Sequence, residues 1–471
     1  MNLYDRINSK MIGRLATFPE ELDLLVKYTE IEGDHLEIGC LWGGTAILTA
    51  LSKIKKKVSG HVYTVDFMQG GMWVKGDHEH GYEIPSLEKI MQNIKTFRVG
   101  KRVSVIVDKS NPLPIPKDVK PVTVLIDGDH REAGCLLDWM NANHLKPEYV
   151  LIHDCDEIHP GVQKVVEYIT AHEPEWEMIE QAKSMVVFKR IKPATPRPTV
   201  SVIVPTYNRP ELLERALTSI DKQTFKNYEI VVVNDAGVNV WDVVKRHKKT
   251  VLIEHMENKG LSASRNTGIK ASKGKYVTFL DDDDVILPFN FKVLVKAMEE
   301  GASLAYADYY VWKNETELVK APAFDYNKSI LSRRNIMAVF GSMTRRELFE
   351  LELFDETLLS HEDYDMWLRM SKHVDFVHVP KYTGYYSIRD GSGQISNQDY
   401  HAEWMRIVRK KHGLDTPTAA PKIIDGYVNA RIIQNVAVSI DNKSAWLTKD
   451  DNVKLPKELA SELNRAGYVQ Y

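Results

Sequence analysis

The chain has 471 residues, of which 43% are hydrophobic and 27% charged. That balance excludes wholesale disorder, and the length supports two or three domains, each with its own core. A formal net charge of -3 supplies no basic field, so non-specific nucleic-acid binding is not expected.

At the N-terminus, MNLYDRINSK has no apolar signal core, and no run approaches the length of a membrane-spanning segment. A membrane would be met peripherally at most. Cys40, Cys135 and Cys155 form no C-x-x-C pair, which fits a reducing, cytoplasmic compartment better than a disulfide framework.

The first part of the chain alternates strands with helices. HLEIGC reads as a strand, TAILTALSKI as a helix, and HVYTVDF, RVSVIVD, VTVLIDGD and YVLIHDCD as further strands. Such alternation implies a parallel sheet with helices on both faces, with ligands at the C-terminal strand ends. There the glycine turn of LEIGCLWGGTA, with Gly39, Gly43 and Gly44, lets a ligand approach the backbone, and Asp66 can take a ribose. The spacing G-x-x-x-G-G differs from the dinucleotide fingerprint. In the following loop, MQGGMWVKGDHEHGYEIP, Asp77, His78, Glu79 and His80 could coordinate a metal but read better as part of an acceptor-covering lid, and Trp42 and Trp73 as packing or substrate contacts.

A proline-rich, basic break, KRIKPATPRPTV, then separates the halves. We divide the chain into residues 1–192, a linker at 193–198, a second α/β domain at 199–414, and a mainly helical extension at 415–471. The second domain repeats the alternation with TVSVIVP, ELLERALTSI, YEIVVVND, TVLIEH and KYVTFLDD. Acidic residues gather at its strand ends, most densely in Asp281–Asp284. Four adjacent carboxylates are tolerable where a divalent cation neutralises them.

LEIGCLWGGTA, VYTVD, LIDGDHREAGCLLD and YVLIHDCDEIHPGVQKVVEYI resemble the class I S-adenosylmethionine-dependent methyltransferases. The resemblance is to the branch of small-molecule O-methyltransferases and cephalosporin-hydroxylase-like proteins, over residues 30–190. It implies that Glu37, Gly39 and Gly43 border the methionine part, that Asp66 takes the ribose, and that Asp108 serves the adenine. It also implies a magnesium ion on Asp127 and Asp154, with Asp129, His130 and Asp156 beside it, and His130 or Asp127 as proton acceptor.

VSVIVPTYNRPELLERAL, EIVVVNDAG, NKGLSASRNTGIKASKGKYVTFLDDDDVILP and LLSHEDYDMWLRM resemble the inverting family 2 glycosyltransferases of GT-A fold, over residues 198–395. The resemblance implies a UDP-sugar donor with its base near Pro205, Tyr207 and Asp235, and Arg265 near the base or diphosphate. Asp281 would face the ribose and Asp283 would ligate Mn²⁺ or Mg²⁺, supported by Asp282 and Asp284. Asp363 would be the general base and Glu362 its orienter, with Trp367 beneath the acceptor. Where relatives carry a metal-binding histidine, GYYSIRDGSGQIS has Ser387 and Arg389, so Arg389 is expected to pair with diphosphate.

Together these readings predict a bifunctional enzyme, with two Rossmann-like parallel-sheet domains, that glycosylates and methylates a glycan or glycolipid acceptor. A second reading makes the first domain a non-catalytic module that holds acceptor or partner. A third, oxygenase-like use of its acidic residues predicts dependence on iron. Oligomeric state is left open.

Overall fold

The computed structural model describes residues 3–11, 18–39, 43–66, 86–108, 113–192, 197–321, 324–389 and 401–414, and short strands between 423 and 470. Cys40, Trp42, Trp73, Asp77–His80 and most of the linker lie outside the described residues. The chain divides into two compact units, Met1–Arg197 and Pro198–Tyr471.

In the first unit the strands are β1 (Asp34–Ile38), β2 (Val62–Asp66), β3 (Val103–Val107), β4 (Pro121–Ile126), β5 (Tyr149–Ile152), β6 (Trp176–Ala182) and β7 (Met185–Arg190). They form one seven-stranded sheet in the order β3-β2-β1-β4-β5-β7-β6, parallel up to β5 and antiparallel beyond it. Helices α1 (Leu3–Asn8), α2 (Pro19–Thr29) and α3 (Gly44–Lys56) pack Ile7, Leu22, Leu25 and Leu48 against Leu125, Leu151 and Val187. From α5 (Glu132–His144), Trp139 meets Trp176 and Phe188 edge-on or tilted, with ring centroids 5.2 and 6.1 Å away. Leu125 and Leu151 alternate with Val124 and Val150, so the buried strands carry apolar side chains on both faces.

Sequence order reverses between β1 and β4, which opens a crevice at their C-terminal ends. Gly39 is required here by close packing. Its φ is +89°, and an added Cβ would lie 2.1 Å from the Asp127 carbonyl oxygen. Gly39→Ala is therefore expected to destabilise the first unit by more than about 1 kcal/mol in denaturant unfolding.

The second unit contains β8 (Val200–Thr206), β9 (Tyr228–Asn234), β10 (Thr250–Glu254), β11 (Tyr276–Phe279), β12 (Val285–Ile286), β13 (Leu304–Lys313), β14 (Glu317–Lys320), β15 (Ser342–Arg345) and β16 (Phe376–Ile388). They form a nine-stranded sheet, β10-β9-β8-β11-β15-β13-β16-β12, with β14 on β13. From β10 to β11 the neighbours are parallel, and β15 then runs antiparallel to β11. All seven residues of β8 are buried, as expected of a central strand covered on both faces. One cover is α9 (Leu261–Ala271), which lies so close that a Cβ on Gly268 would meet Ile203 at 2.3 Å.

One expectation is corrected. The region past residue 415 was expected to be mainly helical, but its described elements are strands. Tyr427–Ile432 pairs antiparallel with Asn452–Pro456, and Val436–Ile440 with Lys443–Leu447. YVNARI and VAVSI are short and β-branched or aromatic, which favours a pleated strand over a helix.

Candidate functional site

In the second unit the acidic loop leaves the end of β11 beside β8. Asp282 accepts a hydrogen bond from the Thr206 hydroxyl at 2.8 Å. Arg209, at the start of α7 (Pro210–Asp221), reaches Asp282 at 3.3 Å and Asp283 at 3.4 Å. Arg389 reaches the same Asp283 oxygen at 3.2 Å. Asp284 is buried and accepts the Ser387 backbone N–H at 2.9 Å. The two residues that replace the relatives' histidine segment thus both contact the aspartate run.

Arg265 corrects its expected role. It is only 1% exposed and does not reach outward toward a base or diphosphate. Its guanidinium donates to Asp281 at 2.7 and 3.0 Å and to Glu362 at 2.5 Å. One buried cation therefore ties the aspartate run to α12 (Glu362–Met370). Glu362 and Asp363 occupy the first turn of α12, where the helix dipole favours anions.

Asp363 accepts from the Asn335 amide and from the Tyr364 N–H, both at 2.7 Å. Burial, reinforced by Glu362, pushes its pKa up to about 7, against the pull of Arg265. Burial and Asp283 push Asp282 up to about 7 as well, and burial raises Asp284 well above the usual carboxylate range. Arg209, Arg265 and Arg389 contact carboxylates of this group, and Arg215 donates to the Asp283 backbone carbonyl at 2.7 Å.

One other expectation changes. Trp367 is fully buried, so it packs the core of α12 rather than lying beneath a ligand. Asp235 commits both oxygens to its own loop: one accepts from His255 at 2.6 Å and the Lys259 N–H at 2.9 Å, the other from the Gly260 N–H at 2.8 Å. These contacts hold the entry to α9 in place. Pro205 is buried at the end of β8, whereas Tyr207, just beyond it, is 47% exposed.

In the first unit, Glu37 is fully buried at the end of β1, with one oxygen bonded to the Thr45 hydroxyl. Its other oxygen has no hydrogen-bond partner among the described residues. Burial, with Asp127 and Asp66 nearby, pushes the carboxyl up to about 8. Gly43 begins α3 in a left-handed conformation, φ 72°. Asp66 ends β2 partly buried, and Asp108 lies exposed just past β3.

Asp127 and Asp154 are bridged by His153, whose Nδ1 lies 3.0 Å from the first and 3.3 Å from the second. Its Nε2 meets Glu21 at 3.2 Å. Burial opposes the charge, but Asp127, Asp154 and Glu21 together hold this imidazole protonated. Glu21 in turn accepts from the Ser184 N–H and hydroxyl at 2.9 and 2.7 Å, and from the Phe18 N–H at 2.9 Å. Against its burial, those bonds hold it at about 2. His130 Nε2 lies 3.0 Å from the other Asp154 oxygen, and Asp129 is taken up by Arg131.

Sequence reasoning did not assign Glu21, His153, His159, Arg209 or Asn335. His153 and His159 stood inside a quoted motif, and Arg209 follows the β8 turn. Nothing local marks Glu21 or Asn335, which arrive from 132 and 28 residues away.

The second unit thus sets an aspartate run at the reversal point of its sheet against a Glu–Asp helix start. The sequence model of Glycosyl transferase family 2 matches residues 201–352. An uncharacterized glycosyltransferase of Bacillus subtilis, YwdF, is 31% identical over 233 residues, 46% of this chain and 86% of the relative. A second from that organism, EpsJ, is 30% identical over 235 residues, 46% of this chain and 68% of the relative. The chain therefore belongs, through its second unit, to glycosyl transferase family 2, and it is a glycosyltransferase. S. aureus TarS, solved as residues 1–349 with UDP-GlcNAc, covers 47% of this chain and 68% of its own at 22% identity, with a TM-score of 0.39. Among the described residues no helix is long and apolar enough to cross a membrane.

Proposed function

We propose that the second unit transfers a sugar, with inversion, from a UDP-sugar to a hydroxyl of a glycan or glycolipid acceptor. The observation that carries this reading is Arg265, which joins the aspartate run to the Glu362–Asp363 pair. Asp363 is the general base: its raised pKa lets it hold a proton near neutral pH and still ionise there. Glu362, fixed by Arg265, keeps that end of α12 in place. Tyr207 offers an exposed ring on which a base can stack.

Asp283, within a run of four carboxylates, fits a hard divalent cation, Mn²⁺ or Mg²⁺. Its arginine contacts, 3.2 and 3.4 Å, are longer than the roughly 2.7–2.9 Å of a tight charge-assisted bond. Once bound, such an ion supplies Lewis-acid charge for the departing diphosphate. Arg389 and Arg209 stand on either side of the same carboxylate to add to that charge.

For the first unit we propose methylation of a hydroxyl on the same acceptor, with S-adenosylmethionine held at the β1–β4 crevice. What supports it is the unpartnered, buried oxygen of Glu37, which suits a cationic ligand group. Glu37, Gly39 and Gly43 would border the methionine part, Asp66 the ribose and Asp108 the adenine, and the cofactor supplies an electrophilic methyl. Asp127, His153 and Asp154 each bring a ligand atom within 4.8 Å of the others. The expected magnesium prefers oxygen donors alone and fits this set poorly, so no step is assigned to it. In this reading His130 or Asp127, whose side chains are 41% and 25% exposed, takes the acceptor's proton.

The second reading, a non-catalytic acceptor- or partner-binding module, is favoured by that same His153 bridge, which ties up an expected catalytic acid. Calorimetry on the full chain separates the two. S-adenosylmethionine is expected to bind, with the affinity falling when Glu37→Gln removes the carboxyl that a cationic ligand would ionise. Absence of binding would leave the first unit a recognition module.

A further inference from the structure

We propose that the first unit carries a site for a divalent first-row transition metal, held by His130, Asp154 and His159. The site stands on these side chains alone and does not depend on the methyl-donor reading. One ligand atom from each lies within 4.8 Å of the others. Bonds of about 2.1 Å place neighbouring donors on the order of 3–3.5 Å apart, so the three need only close in slightly. His130 Nε2 and an Asp154 oxygen already stand at 3.0 Å, and the two imidazoles pack edge to face with centroids 4.6 Å apart.

The surroundings are built as a ligand shell is built. His159 Nδ1 meets Asp156 at 2.9 Å, and the same Asp156 oxygen accepts the Ile158 and His159 backbone N–H groups, both at 3.0 Å. A carboxylate on one ring nitrogen fixes the tautomer and turns the lone pair of Nε2 outward, the arrangement that supports metal-binding histidines. The other Asp154 oxygen is steadied by His153 at 3.3 Å. Asp154 itself sits at φ +59°, a strained conformation for a residue other than glycine. The side chains of His130, Asp154 and His159 are 41%, 19% and 25% exposed, which leaves room for water or a substrate oxygen on the metal.

Chemistry selects the ion. Two imidazoles and one carboxylate suit zinc, cobalt, nickel, manganese or ferrous iron, whereas magnesium prefers oxygen donors alone. Asp154 is shared with a second group, Asp127 and His153, whose ligand atoms also lie within 4.8 Å of one another; removing His130 or His159 leaves that group intact.

The test is titration of the chelator-stripped full chain with Co²⁺, followed by visible absorption and bound-metal stoichiometry. The wild type is expected to bind one equivalent with imidazole-type bands that excess Mg²⁺ does not remove. H130A and H159A should each lose that equivalent, and D156N should weaken it about 10- to 100-fold. Any cation bound at the all-oxygen Asp283 region is unaffected by these changes, so it cannot mimic the loss. If H159A fails to fold, as read from its melting curve, H159Q carries the same prediction. Retention of the equivalent in both histidine variants, or its ready displacement by Mg²⁺, overturns the proposal.

Discussion

Asp363→Asn is expected to reduce sugar transfer by about 10²- to 10⁴-fold while leaving the protein folded and able to bind donor. The amide has the shape of the acid but cannot accept the acceptor's proton. Asn335 bonds one carboxyl oxygen and the Tyr364 N–H the other, each at 2.7 Å, so the single amide oxygen keeps one of these two bonds. The pH dependence follows from the direction of the shift. Asp363 must be ionised to act, and burial has raised its pKa to about 7, so kcat/KM should climb as pH rises through that value. Stability runs the other way. The unfolded carboxyl ionises near 3.8 and the folded one near 7, so between those values the folded chain binds more protons. Stability is then lost as pH rises across that window. Asp363→Asn removes this titration, so its melting temperature should fall less than that of the wild type between pH 5 and pH 8. An equal fall in both proteins would mean that Asp363 is not the group that titrates.

The second large effect concerns Arg265. Arg265→Met is expected to destabilise the second unit by about 3–5 kcal/mol, because it strips a buried cation from two carboxylates and leaves them uncompensated. The guanidinium forks between Asp281 and Glu362, with its plane 5.2 Å from the Phe354 ring centroid. Arg265→Lys should recover only part of the loss, since a single ammonium cannot span the fork. The second unit's own transition in urea is the measurement. Unchanged stability in Arg265→Met would mean that Asp281 and Glu362 are neutral in the native protein.

Much of this arrangement was legible in the sequence, and the limits have physical causes. Apolar runs such as VSVIVPT and VLID marked the parallel strands, and their last residues marked the crevices. The Glu362–Asp363 pair was found at a helix start because first-turn acids are local signals. Arg265 was located but misassigned, because its partner Glu362 lies 97 residues away. The contacts that hold Asp235 were not legible, because the two N–H groups that it accepts follow 24 and 25 residues later. A magnesium pair was expected at Asp127 and Asp154, and only the fold shows His153 between them, with Glu21 brought from α2. Beyond residue 415, short β-branched stretches were taken for helix.

The central claim is that the aspartate run and α12 form one donor site in the second unit. Its most direct test is calorimetric titration of UDP with Mn²⁺ into the wild type and into Asp283→Ala. The account predicts Mn²⁺-dependent binding to the wild type and its loss in the variant, with S-adenosylmethionine binding at the first unit unchanged. Equal binding of UDP to both proteins, with or without Mn²⁺, would contradict it.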